Sequence, residues 1–320
     1  MSPHRVIVRL ALCGMLLVSA CKRTAPPLPP DAATAREGDH EVKPVYPALV
    51  GTPSPLAVKL CGTMHGLAEA QRARCCGRPP SAGLELECVR TLSVALADRA
   101  VAIDGAALDR CTAALERSIE GCDWVVPIPP EPPAECRALL AGQLSSGARC
   151  RSSLECKQGL GCAGVGPTQP GVCAEPAPVG QSCGGSVDTL AAYTRQTDES
   201  AHPSCVGFCA RGRCNALVGK GEACKADAQC GTSARCDRAL CVAGPAPGLG
   251  EACSGSCAPG GFCARGKCVA LKRAGAPCTS PFECRAACNK PAGAQLGVCG
   301  MKCSAWPPAG YPYPGQSPKQ

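Results

Sequence analysis

The sequence predicts a small disulfide-rich fold, a short cysteine-stapled helical bundle followed by tandem small cysteine-rich modules with little regular secondary structure. Three observations lead there. Gly, Pro and Cys number 37, 32 and 30 among 320 residues, whereas Phe, Tyr and Trp contribute only 3, 4 and 2. So few large side chains cannot fill an extensive core, and cysteine at this density points to covalent cross-links in its place. Between residues 57 and 143 cysteines and apolar residues recur at helical spacing, and beyond residue 145 cysteines recur in groups that each open on a glycine. A large α/β enzyme core and a cytosolic setting are both poorly compatible with this pattern.

The amino-terminal stretch Met1–Ala20 has basic Arg5 and Arg9 and then an apolar run from Leu10 to Val18, the layout of a secretory signal. The run is too short for a membrane span, and no later stretch approaches 18 apolar residues. It closes on Val18-Ser19-Ala20-Cys21, which resembles the lipobox of bacterial lipoproteins. The resemblance implies cleavage before Cys21, acylation of Cys21 and anchoring to the lipid bilayer through that residue. Each acyl methylene contributes roughly 0.8 kcal/mol of membrane affinity. Lys22 stands where an inner-membrane retention signal would carry Asp, so the outer membrane, with a periplasmic or surface-facing body, is the expected location. Removing Arg5 and Arg9 takes the formal charge from +8 to about +6. The basic residues are dispersed and lack interleaved aromatics, so no nucleic-acid partner is expected.

Residues 21–56 read as the lipidated cysteine and a proline-rich tether, with Pro26, Pro27, Pro29, Pro30, Pro44, Pro47 and Pro53 and no further cysteine. Such a chain extends about 3.1 Å per residue. Residues 57–145 read as a cysteine-containing helical domain. A first helix over 57–75 presents Leu60, Cys61, Met64, Leu67 and Cys75 on one face, with Cys76 next to it. A second over 84–102 presents Leu84, Cys88, Leu92 and Leu96, and a third over 106–121 presents Leu108, Cys111, Leu115 and Ile119, with Cys122 following. Asp104 is placed to cap the third helix, and Cys136 opens a short fourth segment after the prolines of 127–133.

Residues 146–303 read as about five repeats. Their cysteines are Cys150, Cys156, Cys162 and Cys173; then Cys183, Cys205, Cys209 and Cys214; then Cys224, Cys230, Cys236 and Cys241; then Cys253, Cys257, Cys263 and Cys268; and finally Cys278, Cys284, Cys288 and Cys299, with Cys303 added. Gly147-Ala-Arg-Cys150, Gly221-Glu-Ala-Cys224, Gly250-Glu-Ala-Cys253 and Gly275-Ala-Pro-Cys278 open alike, and Phe208-Cys-Ala-Arg-Gly-Arg-Cys214 returns as Phe262-Cys-Ala-Arg-Gly-Lys-Cys268. The rhythm of Gly147–Cys173 and Gly275–Cys299 resembles the Dickkopf N-terminal cysteine-rich region. The whole arrangement is similar to cysteine-rich lipoproteins of myxobacterial type. The resemblance implies a disulfide scaffold and nothing more specific. Ser304–Gln320, with Trp306, Tyr311 and Tyr313, reads as a disordered Pro/Tyr-rich tail.

Setting aside Cys13 in the signal and Cys21 under lipid leaves 28 cysteines, seven between Cys61 and Cys136 and 21 from Cys150 onward. Both groups are odd. Complete pairing in an oxidising compartment therefore needs at least one bridge between helical region and repeats, with Cys136 or Cys303 the natural candidates. Spacing leaves the connectivity open. Zinc sites favour two-residue gaps between ligand pairs, and gaps of three to five dominate here, so no metal or cofactor is expected.

No catalytic constellation is expected either. Gly159-Leu-Gly-Cys-Ala-Gly164 matches a dinucleotide motif by letter, without the strand and helix that motif needs. Cys75-Cys76 reads as two structural cysteines with different partners. The mature histidines are His40, His65 and His202, and His65 reads as an exposed helical residue. The insert Gly184–Pro203 carries Tyr193, Arg195, Asp198, Glu199 and His202 and reads as a surface insertion with the makings of a contact surface. The expected role is an interaction or structural module of the cell envelope, with an envelope or surface protein as partner. An inhibitor of a secreted protease and an envelope enzyme of another class are the alternatives.

Overall fold

The computed structural model describes residues 44–126, 131–184, 188–196, 202–231 and 233–303, all within one unit, Lys43–Gln320. Pro55, well suited to a first helical position, starts α1 (Pro55–Cys61). A π-helical turn, Gly62–Gly66, carries it into α2 (Leu67–Cys76), which stops at left-handed Gly77. α3 spans Gly83–Ala97, five residues short of its expected end. The chain turns through Arg99, at φ 53°, and leaves as β1 (Val101–Ile103). α4 (Gly105–Ser118) is capped by Asp104, whose Oδ1 accepts from the amides of Ala106 (2.9 Å) and Ala107 (3.2 Å). A 3-10 turn, Ala134–Cys136, leads to β2 (Leu140–Gly142), which pairs antiparallel with β1. That pairing uses the backbone groups a longer α3 would have kept for itself. No helix among the described residues is long and apolar enough to cross a membrane.

Leu60, Met64, Leu92, Leu108, Leu115, Val125 and Leu139 fill the core, with Cys61, Cys88, Cys111 and Cys136 among them. Burying a leucine-sized side chain contributes about 1.5–3 kcal/mol. Trp124 packs into the same core and donates its indole N–H to the Ile119 carbonyl at 2.6 Å.

The segment 44–54, assigned to the tether from its prolines, packs against this body instead. Tyr46 is fully buried, Arg90 Nη1 donates to the carbonyls of Tyr46 and Pro47 at 2.8 Å each, and the Val45 amide donates to Pro167 O at 2.8 Å. Residues 22–43, the rest of the tether, lie outside the described residues, as do Cys21, the signal and Ser304–Gln320.

Each repeat is built on an antiparallel β-hairpin, so the expectation of little regular structure is corrected. The first contains β3 (Arg149–Cys150), β4 (Gly161–Ala163) and β5 (Gly171–Ala174) in the order β3-β5-β4. The second contains β6 (Phe208–Ala210) and β7 (Arg213–Asn215), after the helix α5 (Thr189–Thr194). β8 (Ala234–Asp237) and β9 (Leu240–Ala243) form the third, β10 (Gly261–Ala264) and β11 (Lys267–Ala270) the fourth. The fifth returns to three strands, β12 (Pro277–Cys278), β13 (Ala287–Asn289) and β14 (Gly297–Gly300). The repeated Cys-Ala-Arg-Gly-Arg/Lys-Cys phrase is a two-residue hairpin turn. Arg211-Gly212 and Arg265-Gly266 both take positive φ, the twist-matched geometry that joins strands most tightly. Arg238-Ala239 makes the same turn without glycine.

Cysteine pairing follows one rule in all five repeats, first to third and second to fourth: Cys150–Cys162 with Cys156–Cys173, Cys183–Cys209 with Cys205–Cys214, Cys224–Cys236 with Cys230–Cys241, Cys253–Cys263 with Cys257–Cys268, and Cys278–Cys288 with Cys284–Cys299. The third and fourth cysteines face each other across the hairpin, as in Cys162↔Cys173 and Cys263↔Cys268. Facing side chains in a strand pair lie about 4.5–5.5 Å apart, so the two bridges stack side by side and supply the interior of the module. Sulfur and a few apolar neighbours make up the buried clusters of the first, third and fifth repeats.

In the helical region Cys61 pairs with Cys88, Cys75 with Cys122 and Cys111 with Cys136. Cys76 pairs with Cys303 across 227 residues and is the bridge that joins the helical region to the repeats. The chain thus comes back on itself. Beside the bridge, the Lys302 amide donates to Val125 O at 2.8 Å, and Arg285 Nη2 donates to Ser118 O at 3.4 Å.

The joint between fourth and fifth repeats is polar. Hydrogen bonds from Lys272 (2.5 Å) and Thr279 hold the Glu283 carboxyl at about 2, below its usual 4.5. A depressed carboxyl stabilises the fold above its unfolded value, so the contribution of this joint fades as pH falls from about 4.5 and is gone below about 2. A carbon-detected NMR titration of the Glu283 carboxyl is expected to show a midpoint near 2; an ordinary midpoint near 4.5 would mean that the joint is open in solution.

Candidate functional site

A polar constellation centred on a buried carboxylate forms where the helical body, the first repeat and segment 44–54 meet. Ser152-Ser-Leu-Glu155 turns through a 3-10 segment, Ser153–Glu155, with Ser152 Oγ accepting from the Leu154 amide at 3.0 Å. The turn folds Glu155, 1% exposed, back onto the Arg151 amide, which donates to Oε2 at 2.7 Å. The other oxygen, Oε1, accepts from Tyr46 OH at 2.9 Å and from Arg151 Nε and Nη2 at 3.2 Å each. Arg151 Nη2 also reaches Asp98 Oδ2 at 2.7 Å, and its guanidinium lies 4.7 Å from the centre of the Tyr46 ring. An open cleft of about 290 Å³ adjoins the cluster, lined by Asp98, Arg149, Arg151, Glu155 and Pro170 among others.

The chemistry of this cluster is that of a lock. Burial first, then the Glu155 charge, push the Tyr46 hydroxyl well above the ordinary tyrosine range, so it stays protonated and donates. Burial alone would lower Arg151, but the carboxylates of Glu155 and Asp98 outweigh it and its affinity for the proton rises. Glu155 accepts four hydrogen bonds from within the fold, which leaves little lone-pair capacity with which to abstract a proton from a substrate. At the same junction Gly142 is indispensable sterically, since a Cβ there would lie 1.9 Å from Cys156 O.

The residue before the second cysteine plays the same backbone role in two further repeats. Gln229 Oε1 accepts from the Lys225 amide at 2.5 Å and Glu283 Oε1 from the Thr279 amide at 3.3 Å. Only Glu155 combines that turn with a tyrosine from the amino-terminal segment. The Glu-Cys pairs 155–156 and 283–284 belong to the rhythm visible in the sequence, but Tyr46, Arg151 and Asp98 carried no local signal. Their meeting depends on tertiary packing across 109 residues.

The insert Gly184–Pro203, read as a surface insertion or contact surface, enters the interior in its described part, which corrects that reading. Asp188 caps α5 and also accepts from the Ser153 amide at 2.7 Å. Leu190 is fully buried in the helical core, and Gln196 bridges the Leu139 amide (3.0 Å) and the Cys136 carbonyl (2.8 Å). Arg195 Nη1 donates to Met64 O at 3.2 Å. His202 Nδ1 lies 3.1 Å from Leu160 O. Asp198 and Glu199 fall outside the described residues. The same docking corrects His65, which is half-buried with Nε2 2.5 Å from the Tyr193 carbonyl. Burial lowers its affinity for a proton despite that hydrogen bond.

The sulfurs of the repeats also come close together. In each repeat three cysteine sulfurs, for example those of Cys150, Cys156 and Cys173, lie within 4.8 Å of one another. Every one of these sulfurs is in a disulfide, where it has no thiolate charge to offer a metal ion. Gly159–Gly164 lies in and around β4, with Cys162 bridged to Cys150, an arrangement unlike a phosphate-binding turn between strand and helix. Comparison with protein-family models, curated proteins and solved structures finds no match.

Proposed function

We propose that this chain is a lipid-anchored lipoprotein of the bacterial cell envelope, held by an acylated Cys21, that serves as an interaction or structural module and not as an enzyme. The observation that carries the reading is the pairing of all 28 cysteines beyond Cys21 into fourteen disulfides. Such a framework belongs to an oxidising compartment, which agrees with the signal-like start and the lipobox at Val18–Cys21. The internally satisfied Glu155 and the disulfide-bonded sulfurs support a non-catalytic role. The outer membrane is the location the Lys22 position favours. The function is to hold rigid hairpins clear of the membrane for an envelope or surface partner. Protease inhibition is the weaker reading. The arginines at the hairpin tips, Arg211, Arg238 and Arg265, are left-handed, whereas peptide clefts that pair with a backbone take it extended.

Intact mass of the protein extracted from membranes, with thiol labelling before and after reduction, tests the anchor and the framework together. The expected result is an acylated chain beginning at Cys21 whose 28 remaining thiols appear only on reduction. A free, unacylated amino terminus would overturn the anchor, and thiols reactive before reduction would overturn the framework. Crosslinking in native envelopes is then expected to capture a saturable partner at the repeats. If no partner and no change in envelope integrity on deletion is seen, the module reading fails.

A further inference from the structure

The first and fifth repeats are built to one plan. Both are three-stranded, with the same strand order and the same pair of bridges. In each, a serine hydroxyl accepts from the amide two residues on, Ser152 from Leu154 (3.0 Å) and Ser280 from Phe282 (3.3 Å), and a 3-10 turn follows. The chain ahead of each repeat is fastened to the turn alike: the Leu144 amide donates to Glu155 O at 2.9 Å and the Lys272 amide to Glu283 O at 2.7 Å. The middle residue of the turn is presented in the same way, yet its surroundings differ. Leu154 is 5% exposed and belongs to the helical core. Phe282 is 81% exposed. The third repeat makes the turn too, over Asp227–Gln229, with only Ala228 at this place.

In the first repeat this projection is docked. Leu154 clusters with the buried side chains of the helical body, and carboxylates close on the turn from outside it. Asp188 Oδ2 accepts from the Ser153 amide and Asp98 Oδ2 from Arg151 Nη2, each at 2.7 Å. Around Phe282 the complementary charges are present without such a body. Lys272 Nζ donates to Glu283 at 2.5 Å, the Arg285 amide to Lys272 O at 3.0 Å, and Lys290 Nζ to Thr279 O. Three cations are thus tied to a turn that carries the single carboxylate of Glu283. From Phe262 to Cys303 the sequence has seven Lys and Arg against Glu283 alone. An exposed aromatic ring in a positive surround has the form of an interface anchor, and its counterpart is an apolar pocket with a negative rim. The helical body of a second copy does not offer that pocket. Its place is filled by its own Leu154, and Pro281 has no amide for Asp188 where Ser153 has one.

We propose that the turn of the fifth repeat is the docking surface for a separate protein, one whose helices form an apolar pocket for Phe282 with a rim of carboxylates facing Lys272, Arg285 and Lys290. This rests on the interaction-module reading and needs no lipid anchor.

The test places p-benzoylphenylalanine at position 282 of the full-length chain, irradiates the native cells that make it, and sequences the peptide joined there. The expected product is one helical peptide of one other protein, with Asp or Glu beside its apolar residues. With that protein purified, Phe282→Ala and Lys290→Glu are each expected to weaken binding roughly tenfold or more while all disulfides still form. Val206→Ala, at another exposed apolar position, is expected to leave binding unchanged. Joining to a second copy would make the face a self-association surface, joining to lipid a membrane contact, and joining to residues 304–320 an internal one; each overturns the proposal. So does an identified partner that binds the Phe282→Ala protein as tightly as wild type. A partner joined through other repeats and never through position 282 would overturn this surface while the module reading stands. No partner at any repeat would overturn both.

Discussion

Replacing Glu155 with alanine is expected to destabilise the oxidised protein by about 3 kcal/mol or more, the range in which breaking a buried charge pair leaves its partner uncompensated. The carboxylate is 1% exposed, and its loss strands the Tyr46 hydroxyl, the Arg151 guanidinium and the Arg151 amide together. Asp98 retains one hold on Arg151, which keeps the figure toward the lower end. Urea unfolding with all disulfides intact measures the loss. Hydrogen exchange adds the spatial signature: the amide of Val45, bonded to Pro167 O at 2.8 Å, is expected to lose protection, while the amides of the third and fourth hairpins keep theirs. A loss below about 1 kcal/mol would mean that the cluster is no more than a surface ion pair in its energetics. Glu155→Gln, which keeps the shape and an acceptor but not the charge, is expected to fall between wild type and alanine.

The paired substitution of Cys76 and Cys303 by serine is expected to cost roughly 2–4 kcal/mol, the usual yield of a bridge that constrains the unfolded chain. Its sequence separation of 227 residues would argue for more. The other thirteen bridges already shorten the path between the two ends in the unfolded state, so the remaining loop is smaller than the sequence suggests. Local consequences are confined to the return contact: Lys302 to Val125 and Arg285 to Ser118. The fifth hairpin itself, stapled by Cys278–Cys288 and Cys284–Cys299, should keep its exchange protection. Small-angle scattering of the variant is expected to show a larger radius of gyration; an unchanged radius would mean that noncovalent contacts alone hold the carboxyl-terminal repeat in place.

Much of the architecture was legible because it is local. Periodicity located the helices, Asp104 announced its cap, and the odd cysteine counts required a bridge between the two regions, with Cys303 correctly among the candidates. What failed had tertiary causes. The end of α3 yields to β1 because β2, some forty residues later, offers Val101–Ile103 a pairing partner. Segment 44–54 looked like a spacer by its prolines, yet the buried Tyr46, the Arg90 bonds to its carbonyls and the Val45 amide fix it to the body. The insert before Cys205 looked superficial because it interrupts a repeat; Leu190 shows that the interruption fills a gap in another region's core. The hairpins were hidden because strands of two to four residues leave almost no alternation to read. The lock at Glu155 was half visible, in the Glu-Cys pair, and half not.

The bridge between Cys76 and Cys303 also changes what a cut in the chain can do. The five repeats are internally stapled, but no repeat is disulfide-bonded to the next. In an open string of such modules, a single peptide-bond cleavage in any connector would release everything downstream. With the ends of the string fastened to one another, every connector from residue 137 to residue 277 becomes redundant. A proteolytic nick between modules leaves both fragments covalently attached to the helical body. Two cleavages in different connectors are needed before any module is shed. Wherever a protease reaches one connector, this one bond keeps the whole array joined.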